Sequence, residues 1–161
     1  MRYDWDVFVK RLGAFPGSHR LLPPCERESI TEVEQGLGRL PEVLHKMLLR
    51  FNGAQLFIAP HGGGEYLTIF GISTRPPLPA FMWAPDWYLD RFTPPWRAGN
   101  VHRQEDWALC MTNYGGLVVM NAHETIGECD TAQKIWLIED IAVDEWAEVI
   151  IRNGKDYLKE R

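Results

Sequence analysis

The stretch that decides the fold is Ser29–Gly53, which reads SITEVEQGLGRLPEVLHKMLLRFNG. Ser29 is followed three residues later by Glu32, a capping-box pattern that predicts the start of a helix. A proline step follows at Leu40-Pro41, where the leucine is expected to be extended and the proline suits the first position of a second helix. Asn52-Gly53 is expected to end that helix in left-handed geometry. The stretch therefore predicts two short helices joined at a leucine–proline step.

The segments on either side carry the periodicities of further helices and of strands. Apolar residues at helical spacing predict one helix over 4–12, ended by Gly13, and another from about Asp144 to Leu158, with a weak spot at Asn153-Gly154. Glycine-rich connections at 61–65 and 113–116 predict hairpins. Five runs predict strands: Gln55–Ala59, Tyr66–Ile72, Trp107–Thr112, Leu117–Asn121 and Ile135–Glu139. This order predicts an α+β domain with a largely antiparallel sheet of five to six strands, on which the helices pack.

A long segment rich in proline and tryptophan interrupts the strands at Pro76–Asp106, which holds six of the eleven prolines. A connection of this length inside a compact domain is uncommon and is often functional. Its aromatic rings have two interpretations, a lid packed over the sheet or an exposed patch that contacts a partner, and the two are compatible. The candidate partner-binding residues of this segment are Trp83, Asp86, Trp87, Tyr88, Arg91, Trp96 and Arg97.

The composition fits a single globular domain over residues 1–161, with 45% apolar and 24% charged residues. The net charge is −5 and there is no run of basic residues, so we expect neither nucleic acid nor an anionic membrane as a partner. The N-terminus lacks a signal-peptide run and no stretch approaches a membrane span, so the cytoplasm is the expected location. The widely spaced Cys25, Cys110 and Cys129 are expected to be reduced thiols that pack as small apolar groups.

The sequence also resembles a known family. Four features follow one another along the chain: a short helix with a central glutamate, a leucine–proline step, a second amphipathic helix and an asparagine–glycine stop. The residues that carry them are Ile30, Glu34, Leu37-Gly38, Leu40-Pro41, Leu44, Leu48 and Asn52-Gly53. This pattern resembles the N-terminal signature of the SUKH superfamily, the Smi–Knr-like domains, and the coarse order of elements is similar over about 24–158. The chain departs from the signature at Arg39, a single residue where a longer spacer is expected, and in the segment 76–106.

The resemblance implies a curved sheet flanked by helices and a binding role. Many bacterial members of the superfamily resemble immunity proteins that neutralise polymorphic toxins, often nucleases or other effectors. Fungal relatives are linked to cell-wall synthesis signalling. No catalytic residues come with the family, so the resemblance implies no enzyme, no metal site and no cofactor.

Catalytic patterns were weighed against this interpretation. His61-Gly62-Gly63-Gly64 resembles the oxyanion-loop string of lipases, but the sequence has no nucleophile elbow Gly-x-Ser-x-Gly, so a flexible turn is favoured. His123-Glu124 lies near Cys129 without the Pro-Cys-x-x-Cys of a zinc deaminase. Cys110 lies mid-strand in an apolar context, which is expected to bury and silence it as a nucleophile. Glu124 and Glu128 are a candidate carboxylate pair, but both are expected to be solvated in a turn.

Glu34 has two interpretations of its own. It lies at the edge of the apolar stripe of its helix, so it is either a partner contact or a structural carboxylate held by a backbone hydrogen bond. The structural interpretation is favoured, and Glu34 remains among the candidate partner-binding residues.

The sequence as a whole predicts a non-catalytic protein-binding domain of the toxin-immunity or regulatory type. The expected partner is a protein, a toxin or effector domain. One alternative is a regulatory domain that binds a small molecule or glycan, and another is a hydrolase with an unrecognised carboxylate site.

Overall fold

The structure, a computed structural model, describes residues 3–72, 107–130 and 135–160. Within these ranges the chain forms four helices and seven strands, which confirms the predicted α+β class. The helices are α1 (Trp5–Leu12), α2 (Arg27–Leu37), α3 (Glu42–Arg50) and α4 (Val143–Glu160). The strands are β1 (Arg20–Leu21), β2 (Ala54–Ile58), β3 (Glu65–Ile69), β4 (Trp107–Thr112), β5 (Gly116–Met120), β6 (Thr125–Asp130) and β7 (Ile135–Ala142).

The strands form one open sheet in which each strand pairs with its neighbours in sequence, in the order β1 to β7, and every pair is antiparallel. All five predicted strands are present, but the described part of the sheet has seven strands, more than the five to six expected. The two additional strands had weak signals. β1 is only two residues long, and β6 reads TIGECD, which contains a glycine and two acidic residues.

The second helix begins earlier than the capping-box pattern predicted. α2 starts at Arg27, and the residue before it, Glu26, makes no side-chain cap. The Ser29 amide donates to the Glu26 carbonyl at 3.1 Å, so Ser29 already lies inside the first turn. The start is fixed from outside the helix, because the amide of the buried Cys25 donates to the Leu48 carbonyl on α3 at 2.8 Å. A tertiary hydrogen bond has overridden the local signal.

The asparagine–glycine step after α3 joins the helix to the sheet. α3 begins immediately after Pro41, one residue later than predicted, and its last residue is followed by an extended Phe51. Gly53 has the expected positive φ, +89°, but it lies beyond the helix end. The Asn52 side chain accepts from the Ile72 amide at 2.6 Å. A Cβ at Gly71 would overlap the Asn52 carbonyl, so the connection needs glycine at that close approach.

Both faces of the sheet are apolar, and the helices pack on one of them. The helix-side core joins α1 and α4 through Phe8 and Trp146, whose rings stack 6.4 Å apart. Neighbouring residues of a strand point to opposite faces. A second buried cluster accordingly lies on the other face: Phe70, Ala108, Leu117, Val119 and Cys129. The burial of all three cysteines confirms that they pack as small apolar groups.

The C-terminal helix runs without a break through its predicted weak spot. Gly154 is buried, and the Phe57 ring lies where a Cβ at Gly154 would stand. Phe57 itself has no exposed surface and a positive φ of +55°, which is unusual for an aromatic residue. The glycine thus serves the contact between α4 and β2.

We expect Gly154→Val to lower the free energy of unfolding by about 1–3 kcal/mol, because the added carbons would displace a fully buried ring. Urea denaturation followed by circular dichroism measures this loss. Arg152→Val, at an exposed position of the same helix, is the control and should cost less than about 1 kcal/mol, the helix propensity of valine alone. Equal losses at the two positions would contradict the proposed contact.

Candidate partner-binding surface

The N-terminal ends of α1, α3 and α4 meet at one groove of about 460 Å³. The turn between β5 and β6 closes its fourth side with His123, Glu124 and Thr125. An exposed apolar side chain, Val7 on α1, lies at the rim with 49% of its surface accessible. The fold therefore brings four distant segments of the chain to one surface.

Each of the three helix ends has its own carboxylate in this groove. The Asp4 side chain accepts from the Asp6 amide at 2.9 Å, and the Asp144 side chain accepts from the Glu145 amide at 2.9 Å. At the start of α3, the Glu124 carboxylate of the β5–β6 turn accepts from the Val43 amide at 3.3 Å. The first amides of a helix lack intrahelical acceptors and carry positive partial charge. These bonds hold the carboxylates in place.

The β5–β6 turn is built to present Glu124. Asn121 is buried, and its side-chain oxygen accepts from the amides of His123, at 2.8 Å, and Thr125, at 3.1 Å. The Glu124 amide donates to the Asn121 carbonyl at 3.0 Å. Glu124 adopts a positive φ of +62°, a region that costs energy for a residue with a side chain. The turn holds it there through the Asn121 hydrogen bonds.

The groove is lined by the carboxylates of Asp4, Glu124 and Asp144. Burial raises the pKa of Tyr3, which also lines the groove, to about 12; the nearby charge of Arg11 lowers this pKa, and the smaller effects of the Asp144 and Asp4 carboxylates raise it. A helix N-terminus carries about half a positive charge, so three of them offset roughly half of three carboxylates. The remaining negative charge, with Val7 beside it, suits a basic surface that also carries an apolar side chain.

Among the candidate partner-binding residues predicted from sequence, the structure describes Glu34. Its Oε2 accepts from the Leu40 amide at 2.9 Å, which is the backbone hydrogen bond of the structural interpretation. It does not line the acidic groove. The other candidates lie outside the described residues: Trp83, Asp86, Trp87, Tyr88, Arg91, Trp96 and Arg97.

The candidate carboxylate pair does not come together, and the expectation that both acids are solvated in a turn is wrong for Glu128. Glu124 lies in the β5–β6 turn, whereas Glu128 lies in β6 with 6% of its surface exposed. Their spacing along an extended chain places the two Cα atoms about 13 Å apart, and the Glu124 carboxylate is hydrogen-bonded to the Val43 amide. Glu128 instead accepts from the Tyr114 hydroxyl at 2.9 Å. Burial raises its pKa, and that hydrogen bond partly opposes the shift.

The lipase-like string lies in the connection between β2 and β3, as the turn interpretation predicted. The Tyr157 hydroxyl lies 2.9 Å from the carbonyl oxygens of both Gly63 and Gly64. Within 3–72, 107–130 and 135–160, no three His, Cys, Asp or Glu side chains gather in a way that could hold a metal ion. The helices of these ranges include none that combines the length and apolar character needed to span a bilayer.

Comparison with known proteins finds no match to a family model and none to a curated protein.

The acidic groove was missed by sequence reasoning, because its carboxylates come from segments as distant as Asp4 and Asp144. The available signal was that both of these aspartates stand at predicted helix starts. Nothing in the sequence indicated that the helix starts would meet.

We expect Glu34→Ala to lower the free energy of unfolding by about 1–3 kcal/mol, because it leaves the Leu40 amide without its acceptor. Glu34→Gln keeps an oxygen at that position and should lose less. Thermal and urea denaturation measure both. The control is Glu32→Ala, at an exposed position on the same helix, which should change stability by no more than about 0.5 kcal/mol. An unchanged free energy of unfolding in both alanine variants would contradict the structural role of Glu34.

The raised pKa of Glu128 predicts a pH-dependent stability. The folded chain keeps the proton to a higher pH than the unfolded chain, so stability falls as the pH rises from 4.5 through the raised folded pKa. Glu128→Gln removes the free-energy cost of ionising a buried carboxyl, so the variant should be more stable than the wild type at pH 7. The difference in stability should close as the pH falls below 4.5. Unfolding of both proteins across this pH range tests it. A gain that is the same at pH 4 and pH 7 would sink the idea.

Proposed function

We propose that this chain is a non-catalytic binding domain of the bacterial immunity type, which holds a basic effector domain against its acidic groove. The observation that carries the proposal is the convergence of Asp4, Glu124 and Asp144 at the ends of three helices. The net charge of −5 has the same sign. The resemblance of Ile30–Gly53 to the SUKH signature supplies the class of partner.

Charge complementarity gives this pairing its physical basis. A toxin that acts on nucleic acid needs a basic face, since phosphate neutralisation supplies much of its affinity. An acidic groove on the immunity protein attracts that face, speeds association and blocks the surface that the substrate would use. Because hydrogen bonds already fix the carboxylates, binding costs little side-chain ordering. We place this binding in the cytoplasm, where such an effector would act.

The groove is the centre of the proposed interface and not its whole extent. A specific protein–protein interface usually buries about 800 Å² on each partner. The rim on α1 around Val7 adds an apolar contact next to the carboxylates.

The test uses the effector domain encoded next to this chain, and a variant that removes charge while keeping the helix caps. Asp4→Asn, Glu124→Gln and Asp144→Asn together keep the accepting oxygens but remove three negative charges. We expect the wild type to co-purify with the effector, and the triple variant to associate at least about tenfold more slowly at low salt. Stopped-flow fluorescence measures the association rate.

The matched control removes three negative charges elsewhere. Glu28→Gln, Glu32→Gln and Asp156→Asn are at exposed positions that do not line the groove. This control should associate with a rate close to that of the wild type. An effector that does not bind the wild type, or that distinguishes neither triple variant, would overturn the proposal.

A further inference from the structure

A second groove of about 650 Å³ lies between α2 and α3, and its charge is opposite to that of the first. Its walls carry Arg27, at the first residue of α2, and Arg39, in the loop between the two helices. Leu40 and Leu49 supply its apolar part. On a chain of net charge −5, a groove with this lining is locally basic.

The two guanidinium groups are available to a ligand. Lys46 also lines the groove, but its ammonium lies 3.7 Å from the Glu42 carboxylate one turn away, so these two charges offset each other. Within the described ranges, neither Arg27 nor Arg39 forms a salt bridge or a side-chain hydrogen bond. Counting the described residues only, the lining has three basic groups, Arg27, Arg39 and Lys46, and one carboxylate, Glu42, so about two positive charges remain.

The backbone around these arginines is fixed. The Glu34 carboxylate accepts from the Leu40 amide and so holds the loop that carries Arg39. The hydrogen bond from the Cys25 amide to the Leu48 carbonyl fixes the chain just before Arg27. The side chains are exposed, but the positions from which they project are set by the fold.

The shape favours an extended occupant over a compact one. Lys46 and Leu49 also line a further depression of about 420 Å³, which reaches Tyr3 and Asp4 along α3. Tyr3 and Asp4 in turn line the acidic groove. These shared residues place the three depressions next to one another along α3, an arrangement that suits an extended occupant more than a compact ligand buried in one cavity.

We propose that the groove between α2 and α3 binds an acidic, extended polypeptide segment. Its carboxylates would pair with the guanidinium groups of Arg27 and Arg39, whose planar donors match carboxylate geometry. An apolar side chain of the segment would lie against Leu40 and Leu49. Nucleic acid is disfavoured, because the chain has a net charge of −5 and this groove supplies only about two positive charges for phosphate contacts. This proposal goes beyond the proposed function and does not depend on it.

The test measures fluorescence anisotropy of a labelled ten-residue peptide, in which glutamates flank a leucine, on the full chain. We expect saturable binding that weakens at least about tenfold in Arg27→Gln/Arg39→Gln. The matched control is Arg152→Gln/Lys155→Gln, at exposed positions on α4, and it should bind like the wild type. The same peptide with glutamine for glutamate should bind at least about tenfold more weakly.

The triple variant that neutralises the acidic groove separates this proposal from the first, since it should bind the peptide at least as well as the wild type. Peptide binding that does not saturate, or that is equal in the two arginine double variants, would overturn the proposal. A single-stranded decanucleotide that binds more tightly with the same arginine dependence would assign the groove to nucleic acid instead. Displacement of the peptide by equimolar inorganic phosphate would assign it to small anions.

Discussion

The position of α1 on the rest of the domain depends on one buried side chain, Trp5. Its indole N–H donates to the Val43 carbonyl on α3 at 2.9 Å, and its ring makes edge contacts with Phe8 and Phe51. Only 3% of its surface is exposed. This contact sets where the N-terminal residues of α1 lie relative to α3, and so it fixes the walls of both the acidic groove and the adjoining depression that Tyr3, Asp4 and Leu49 line.

The carboxylates of the acidic groove have two roles that reinforce each other. A helix N-terminus is stabilised by an acidic side chain, and the same side chain is then held in one orientation at the surface. Asp4 and Asp144 act within their own helices, whereas Glu124 caps α3 from a turn that is far away in sequence. The hydrogen bond between Glu124 and Val43 joins the sheet to the helical layer. The same bond therefore stabilises the tertiary structure and fixes the position of a surface carboxylate.

The two grooves give the domain an uneven surface that its net charge conceals. α3 lies between them: Arg27 and Arg39 line the groove on its α2 side, and Asp4, Glu124 and Asp144 line the groove on the side of α1 and α4. A sequence total of −5 describes neither side. Local arrangement decides which partner each surface attracts, and only the fold reveals that arrangement.

Sequence reasoning located the elements with strong local signals. The helix over 4–12 and the five predicted strands were found because their apolar residues repeat at a regular spacing. β6 was taken for a turn because Glu128 and Gly127 interrupt its apolar pattern, although Tyr114 supplies the partner that lets the carboxyl be buried. The start of α2 was misplaced because a hydrogen bond to α3, not a local cap, fixes it. Both errors arose where a distant residue supplied the deciding interaction.

The pairing of strands in chain order has a consequence for how the protein tolerates changes in length. Since β3 and β4 are paired in the sheet, the segment between them begins and ends at adjacent positions. For a flexible loop in general, each doubling of its length costs only about 0.6 kcal/mol of closure entropy. The register of the remaining strands is set by their own hairpins and does not change. An insertion made at this junction is therefore expected to leave the pairing of the described strands unchanged.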